Sequence, residues 1–249
     1  EVRPGAGQPN PAEAARRGMN VCLVALPGTG LPTAAEELAH LYEVETECWE
    51  CDLADRTAVE ELVAFISASG WTVSLLVNNA GVGGAAPVVA QEPTLLESMI
   101  DLNVRALSLL TRHMLPHLLA QEQARILNVA SLAGWYPLPG MSVYAATKAY
   151  VISFSLALRE ELRGSRVTVS LLCPSGVVTK EEVVKALCTQ GFLGRATSRY
   201  PDQLARYAVP RALRGRRLLV PGVMNKLLRV GGRLAPLRWV CRVGAARFA

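Results

Sequence analysis

Val73-Ser74-Leu75-Leu76-Val77-Asn78-Asn79-Ala80-Gly81 is the stretch on which the fold turns. Val73 to Val77 is a short run, apolar at every position but one, and it stops at two asparagines and a glycine. So short a run, with no polar alternate positions, reads as a strand buried on both faces. The segments around it alternate in type. Upstream, Ala54 to Ala68 has Val59, Leu62, Val63 and Ile66 on one helical face. Downstream come a long bent helix over Leu95–Leu119, a strand over Arg125–Val129, an apolar helix over Tyr144–Leu162 and a strand over Arg166–Leu172. Leu218-Leu219-Val220 is a short late strand. Towards the start, Asn20–Ala25 and Glu45–Cys51 read as strands with a helix, Thr33–Tyr42, between them. Apolar strands separated by helices predict an α/β chain: one doubly wound parallel sheet with helices on both faces. Ligands of such sheets bind beyond the carboxyl ends of the strands.

The bulk properties agree with a packed core. The chain has 249 residues, 51% of them hydrophobic and 19% charged, which suits a single domain over 1–249 and argues against disorder. No apolar run approaches the ~20 residues of a membrane helix, and Glu1-Val2-Arg3-Pro4-Gly5 carries no apolar secretory core. The expectation is a cytoplasmic protein. The charge of +5 is uneven, because from Pro201 onward there are eleven Arg or Lys and one acid, Asp202. No aromatic interleaving or nucleic-acid motif accompanies this basic segment, 201–249, so nucleic acid is not an expected partner. It reads as a solvated helix face, or as a partly amphipathic stretch (Lys226, Leu227, Leu228, Arg229, Leu234, Leu237, Trp239) offering peripheral contact to a membrane. Cys48 and Cys51 lie on a strand, three apart and on opposite faces. Pro116 lies between His113 and His117, and no third ligand accompanies them. No metal is expected.

Polar residues gather where the strands end. Asn78-Asn79-Ala80-Gly81 follows one strand, Ala130-Ser131 the next, and Pro174-Ser175-Gly176 the third; Tyr144-Ala145-Ala146-Thr147-Lys148 opens the helix between the last two. Tyr144 and Lys148, four apart, share a helix face. A phenol titrates near ~10, and a neighbouring ammonium is expected to lower that value. The phenol can then exchange a proton with an alkoxide or alcohol, while Ser131 hydrogen-bonds the same oxygen.

With these motifs in order, Cys51 to Gly176 resembles the short-chain dehydrogenase/reductase family, whose fold is Rossmann-like. The resemblance implies Ser131, Tyr144 and Lys148 as catalytic residues, with Asn103, in Asp101-Leu102-Asn103-Val104, holding a water in the proton relay. It implies cofactor contacts at Asp52 and Leu53 (adenine), Asn79, Ala80 and Gly81 (the loop after the strand), Tyr144 and Lys148 (nicotinamide ribose), and Val177 and Thr179 (carboxamide). Cys173-Pro174-Ser175-Gly176-Val177, Gln190-Gly191-Phe192 and Val220 to Leu228 are similar to bacterial reductases related to the hydroxysteroid dehydrogenases. By the same resemblance, 180–200 is the substrate loop, its Leu187, Phe192 and Leu193 suggest an apolar carbonyl or alcohol, and the two long helices pair subunits into a homodimer or homotetramer.

The N-terminus departs from the pattern, because no TGxxxGxG follows a first strand. In one register, Asn20–Ala25 opens the sheet, Gly28-Thr29-Gly30 is a degraded phosphate loop, and Asp52 would hold a ribose hydroxyl, implying NAD. In the other, which accounts for more residues, Arg16 to Ala25 is the end of the first helix plus the second strand. Residues 1–18 are then atypical, the loop falls near Pro4-Gly5-Ala6-Gly7, and the first strand is degraded or missing. That register leaves Leu26 and Pro27 after the second strand, with no acid, and tilts the cofactor to NADP with NAD as the alternative. The expected activity is hydride transfer between NADP(H) and a carbonyl. A catalytically silent member of the fold, or a fragment of an active enzyme, is the competing expectation.

Overall fold

The computed structural model describes residues 11–177 and 197–248. Along the chain come α1 (Ala12–Ala15), β1 (Val21–Ala25), α2 (Leu31–Tyr42), β2 (Thr46–Glu50), α3 (Ala58–Ala68), β3 (Leu75–Asn78), α4 (Pro93–Ile100), α5 (Leu107–Leu119), β4 (Ala124–Val129), α6 (Ser142–Glu161), β5 (Val167–Leu172), α7 (Pro201–Leu213), β6 (Leu218–Leu219), α8 (Val223–Leu234) and α9 (Leu237–Phe248). All strand pairs are parallel, as the apolar runs predict. The expected bend in the long helix is a widened turn at Asp101–Ala106, between α4 and α5. Wide turns of this kind often mark functional positions.

The strands form two sheets, one of β1 and β2 and one ordered β3-β4-β5-β6. Burial follows the division. On β4 four of six residues are buried and on β5 five of six, whereas on β1 only Leu23 is. Leu23 belongs to a small core with Ala12, Ala15, Leu31, Ala35 and Leu38. That core is separate from the one that packs Met114, Leu118, Ile126, Leu158 and Val169 under β4 and β5.

Between the sheets runs a cavity of about 300 Å³, lined by Asn20 to Val24 on one side and Trp71 to Ala80 on the other. Its walls are backbone edges. The amide of Val21 donates to Glu45 and that of Cys51 to Ala25, so Val21, Leu23 and Ala25 turn their polar groups towards β2. By the parity of a parallel ladder, Cys22 and Val24 turn theirs to the cavity. Likewise Arg125 donates to Ser74, which leaves Leu75 and Val77 facing the cavity. The register in which Asn20–Ala25 is the second strand is therefore the one the fold obeys: it is not the sheet's centre, and among the described residues no strand joins the two halves. A right-handed crossover into α1 and β1 would begin with a strand in this gap.

The four-stranded sheet aligns the polar clusters. Asn78 is level with Asn128, Val129 with Leu172, and Leu172 with Leu219. The segments after β3, β4 and β5 therefore leave one edge together.

Candidate active site

A buried polar lattice holds the strand ends. Asn78 donates through Nδ2 to Thr111 Oγ1 (2.9 Å) and Asn128 Oδ1 (2.8 Å), and Asn128 donates to Ser155 Oγ (2.9 Å). These bonds tie β3, α5, β4 and α6 at the level where the loops begin. Polar groups this deep are tolerated because nearly all of their bonding capacity is met. Asn78 Oδ1 is the exception, buried without a partner.

Ser131 stands just beyond β4, buried, and its Oγ accepts from the Ala133 amide at 3.1 Å. This caps the short turn Leu132–Trp135 and fixes the hydroxyl. The Ser131 side chain also acts on the phenol of Tyr144, in the first turn of α6, lowering its pKa against the effect of burial. One turn on, Lys148 is buried, with Nζ 3.2 Å from the Val129 carbonyl and 5.9 Å from the centre of the Tyr144 ring. Gly134 lets α6 come this close, because a Cβ there would lie 2.6 Å from the carbonyl carbon of Lys148.

Asn103 is brought to the same place by the wide turn. Its Nδ2 donates to the Val82 carbonyl (2.9 Å) and Thr147 Oγ1 (3.0 Å), and its Oδ1 accepts from the Val82 amide (3.0 Å). A Cβ on Gly81 would lie 2.9 Å from Asn103 Oδ1 and 3.1 Å from Lys148 Nζ, and one on Gly83 would lie 3.0 Å from the Tyr144 ring. These two glycines leave a cradle in front of the tyrosine and lysine that any side chain would fill. Ser131, Tyr144, Lys148, Asn103 and Gly81 thus converge.

The titration of the pair differs from the sequence expectation. Burial pushes the Tyr144 phenol above its ordinary value, and Ser131 pulls it back only in part. Burial brings Lys148 down to about 8, against a smaller upward pull from Cys173. The predicted lowering of the phenol by the ammonium is therefore reversed. The physical reason is that Lys148, itself buried, bonds a backbone carbonyl beside the ring, while the partly buried phenol loses more solvation than it gains from its neighbours.

The remaining sequence-predicted residues lie apart from this cluster. Asp52 follows β2, exposed, and accepts from the Ala54 amide at 2.8 Å in a tight turn. Leu53, Asn79 and Ala80 line the cavity between the sheets, and Val177 forms a bridge with Arg199. Thr179, Leu187, Phe192 and Leu193 lie outside the described residues. Sequence reasoning missed Thr147, Asn128, Gly83 and Gly134; Thr147, inside the Tyr-to-Lys turn, was the one nearest to a signal. It also missed Glu50, whose Oε1 accepts from the Gly28 amide at 3.1 Å. Glu50 thus brings an acid from β2 to the loop after β1, where Leu26 and Pro27 offer none.

This arrangement fits a nicotinamide riboside beside a substrate oxygen: the glycine cradle gives it room, and Lys148 and Tyr144 border it. The pyrophosphate end would rest on a glycine turn entering the gap between the sheets, and the described residues include no such turn.

A family model described as short chain dehydrogenase matches residues 4–187. A very-long-chain 3-oxoacyl-CoA reductase of Anas platyrhynchos is 32% identical over 180 residues, 71% of this chain and 57% of that protein. The NADP-dependent 3-hydroxy acid dehydrogenase YdfG of Escherichia coli K12 is 36% identical over 157 residues, 63% of this chain and 62% of its own length. The chain thus spans about three fifths of the curated relatives it matches. A structure from a study of 7β-hydroxysteroid dehydrogenase stereoselectivity superposes with a TM-score of 0.86 at 21% identity, over 98% of this chain and 95% of that one. A short-chain dehydrogenase of Sphingobium yanoikuyae in complex with NADPH gives 0.76 at 25% identity, over 92% and 90%.

Proposed function

Because the chain belongs to the short-chain dehydrogenase family, we propose that it transfers hydride reversibly between NADP(H) and the carbonyl or secondary alcohol of an apolar substrate. The observation that carries this reading is the convergence of Ser131, Tyr144, Lys148 and Asn103 on the glycine cradle after β3. Ser131 is near enough to the Tyr144 phenol to lower its pKa, so a carbonyl oxygen entering between them meets two hydroxyl donors. A nicotinamide held beside Tyr144 and Lys148 would supply the hydride. Tyr144, neutral because burial raises it, gives its proton to the oxygen as negative charge develops there. Lys148 then faces the phenolate and stabilises it. Asn103 holds the backbone at Val82 and the Thr147 hydroxyl, which fixes the cradle and the start of α6. Val177 and Thr179 belong to this reading as carboxamide contacts, and Asp52 and Leu53 as contacts to the adenine end.

The relatives' names, an oxoacyl-CoA reductase and a hydroxy acid dehydrogenase, support a carbonyl or hydroxyl on a hydrocarbon chain. NADP is favoured over NAD by the name of the second, an NADP-dependent enzyme, and by the NADPH complex of the Sphingobium yanoikuyae dehydrogenase. A pairing of subunits through α5 and α6 is part of the reading, and Leu109 and Tyr150 are exposed on those helices. Cytoplasmic placement fits the free thiols of Cys22, Cys48, Cys51, Cys173 and Cys241.

The test is NADPH oxidation against a panel of ketones and aldehydes. Tyr144→Phe keeps the ring and loses the proton, so its rate should fall by about 10²-fold or more; a rate equal to wild type overturns the reading. The gap between the sheets favours a second one, a silent member that keeps the fold. Quenching of tryptophan emission by NADPH separates the two: saturable binding at micromolar cofactor supports the enzyme, and its absence supports the silent member.

A further inference from the structure

Helix α8 buries the face that amphipathic helices usually expose. Val223, Leu227, Val230 and Leu234 recur at i, i+4, i+7 and i+11, a single narrow stripe, and are 72%, 61%, 48% and 80% exposed. The opposite face packs inward and is small or polar. Asn225 is buried and donates to the carbonyls of Thr197 (3.0 Å) and Pro221 (2.7 Å). Gly232 lies so close to the Tyr136 ring that no side chain would fit. The Arg229 guanidinium lies 5.4 Å from the centre of the Trp135 ring.

Helix α9 repeats the arrangement. Cys241 Sγ approaches the Pro137 carbonyl at 3.9 Å, and a Cβ on Gly244 would lie 3.2 Å from Leu138 and Pro139. Trp239 and Val243 point away, 62% and 68% exposed, with Arg238 and Arg242 exposed beside them. Both helices rest on the segment Trp135–Pro139, which links Ser131 to the tyrosine helix.

We propose that α8 and α9 form a docking surface for an anionic lipid bilayer, lying in its plane with these apolar side chains at the headgroup–acyl boundary. Charge selects this occupant over a second copy of the chain. Val223 to Phe248 carries no acid, and Lys226, Arg238 and Arg242 are exposed on it. Two such faces brought together would oppose like charges with nothing to neutralise them. An anionic bilayer meets both requirements, taking up the apolar stripe and attracting the basic residues around it. Trp239 suits that depth, where an aromatic ring with one polar edge is favoured. Each helix is 12 residues long, against the ~20 that span a bilayer. Among the described residues no helix is long and apolar enough to cross a membrane. An extended surface association is therefore the geometry available.

The full chain should be sedimented with vesicles of phosphatidylcholine alone and with vesicles carrying roughly a third phosphatidylserine. It should pellet with the second and stay in solution with the first. Salt at ~1 M, which shortens screening to ~3 Å, should release part of it. The double variant Leu227→Gln, Leu234→Gln removes two exposed apolar side chains outside the catalytic cluster. It should keep the circular dichroism spectrum and ketone reductase rate of the wild type and lose about tenfold or more in affinity for the anionic vesicles. Equal pelleting with both vesicles, or with neither, overturns the proposal. So does a dimer in analytical ultracentrifugation that the double variant abolishes without lipid being involved, which would make the face an interface between copies. Lipid binding is read separately from ketone reduction, so either reading can fail alone.

Discussion

Lys148 shows at the scale of one residue how function sets itself against stability. Its ammonium is buried and its pKa is brought from 10.5 to about 8. Below about pH 8 the folded chain holds the charge without full solvation, at a cost of roughly 3 kcal/mol. Between about 8 and 10.5 the unfolded chain binds the proton and the folded chain does not, so stability should rise with pH across that window. Lys148→Met, similar in length and without charge, should raise the melting temperature at pH 7 by an amount equivalent to about 1 kcal/mol or more, since it also gives up the bond to Val129. The same change should abolish ketone reduction. A lower melting temperature, by calorimetry, would contradict this account of the burial. In the wild type, Tyr144 stays protonated through neutral pH because burial raises it, so carbonyl reduction should be level there. It should fall above about 8, where Lys148 loses the charge that faces the phenolate. A pH–rate profile of the ketone reaction checks this.

Whole elements meet through their smallest residues. Helix α6 can bring Tyr144 and Lys148 to Ser131 because Gly134 has no Cβ to strike the Lys148 backbone. Gly134→Ala would place a carbon 2.6 Å from a backbone carbon that cannot rotate aside. It should cost about 1–3 kcal/mol by overpacking and lower kcat/KM by moving α6 away from the turn. Urea unfolding with kinetics on the same sample tests both; unchanged kinetics would show that α6 does not depend on this contact. The strands and long helices were legible because apolar runs and helical periodicity are local; four-residue spacing put Tyr144 and Lys148 on one face, and the resemblance to the family joined Ser131 to them. Gly134, Gly83 and Asn128 were not legible. Their roles depend on which backbone or side chain approaches from a distant element, and no local pattern records that. The direction of the Tyr144 shift was misjudged for a similar reason, because burial is a property of the packed elements and not of the Tyr-to-Lys spacing.

For the molecule as a whole, the open question is the seam between β1 and β3. Cys22, Val24, Leu75 and Val77 each turn an N–H and a C=O into the cavity. A buried backbone group left unmet costs about 1–3 kcal/mol, and a domain has only about 5–15 kcal/mol of stability in all. These groups must therefore be met by water or by another strand. With water there, the unit of α1, β1, α2 and β2, whose core is its own, is coupled to the rest mainly through helix contacts. It should open at a lower free energy than β4 and β5. Hydrogen exchange should show two classes of amide inside β1: Leu23, bonded towards β2, protected, and Cys22 and Val24 exchanging fast. A chimera with an apolar strand of about five residues and a glycine turn joined ahead of Pro11 would pair both edges. It should protect Cys22, Val24, Leu75 and Val77 together, merge the two unfolding steps into one and tighten NADPH binding, because the new turn would place amides against the pyrophosphate. If Cys22 and Val24 are already protected in the chain without the added strand, the two edges are paired in solution, and the division of the sheet is not what limits cofactor binding.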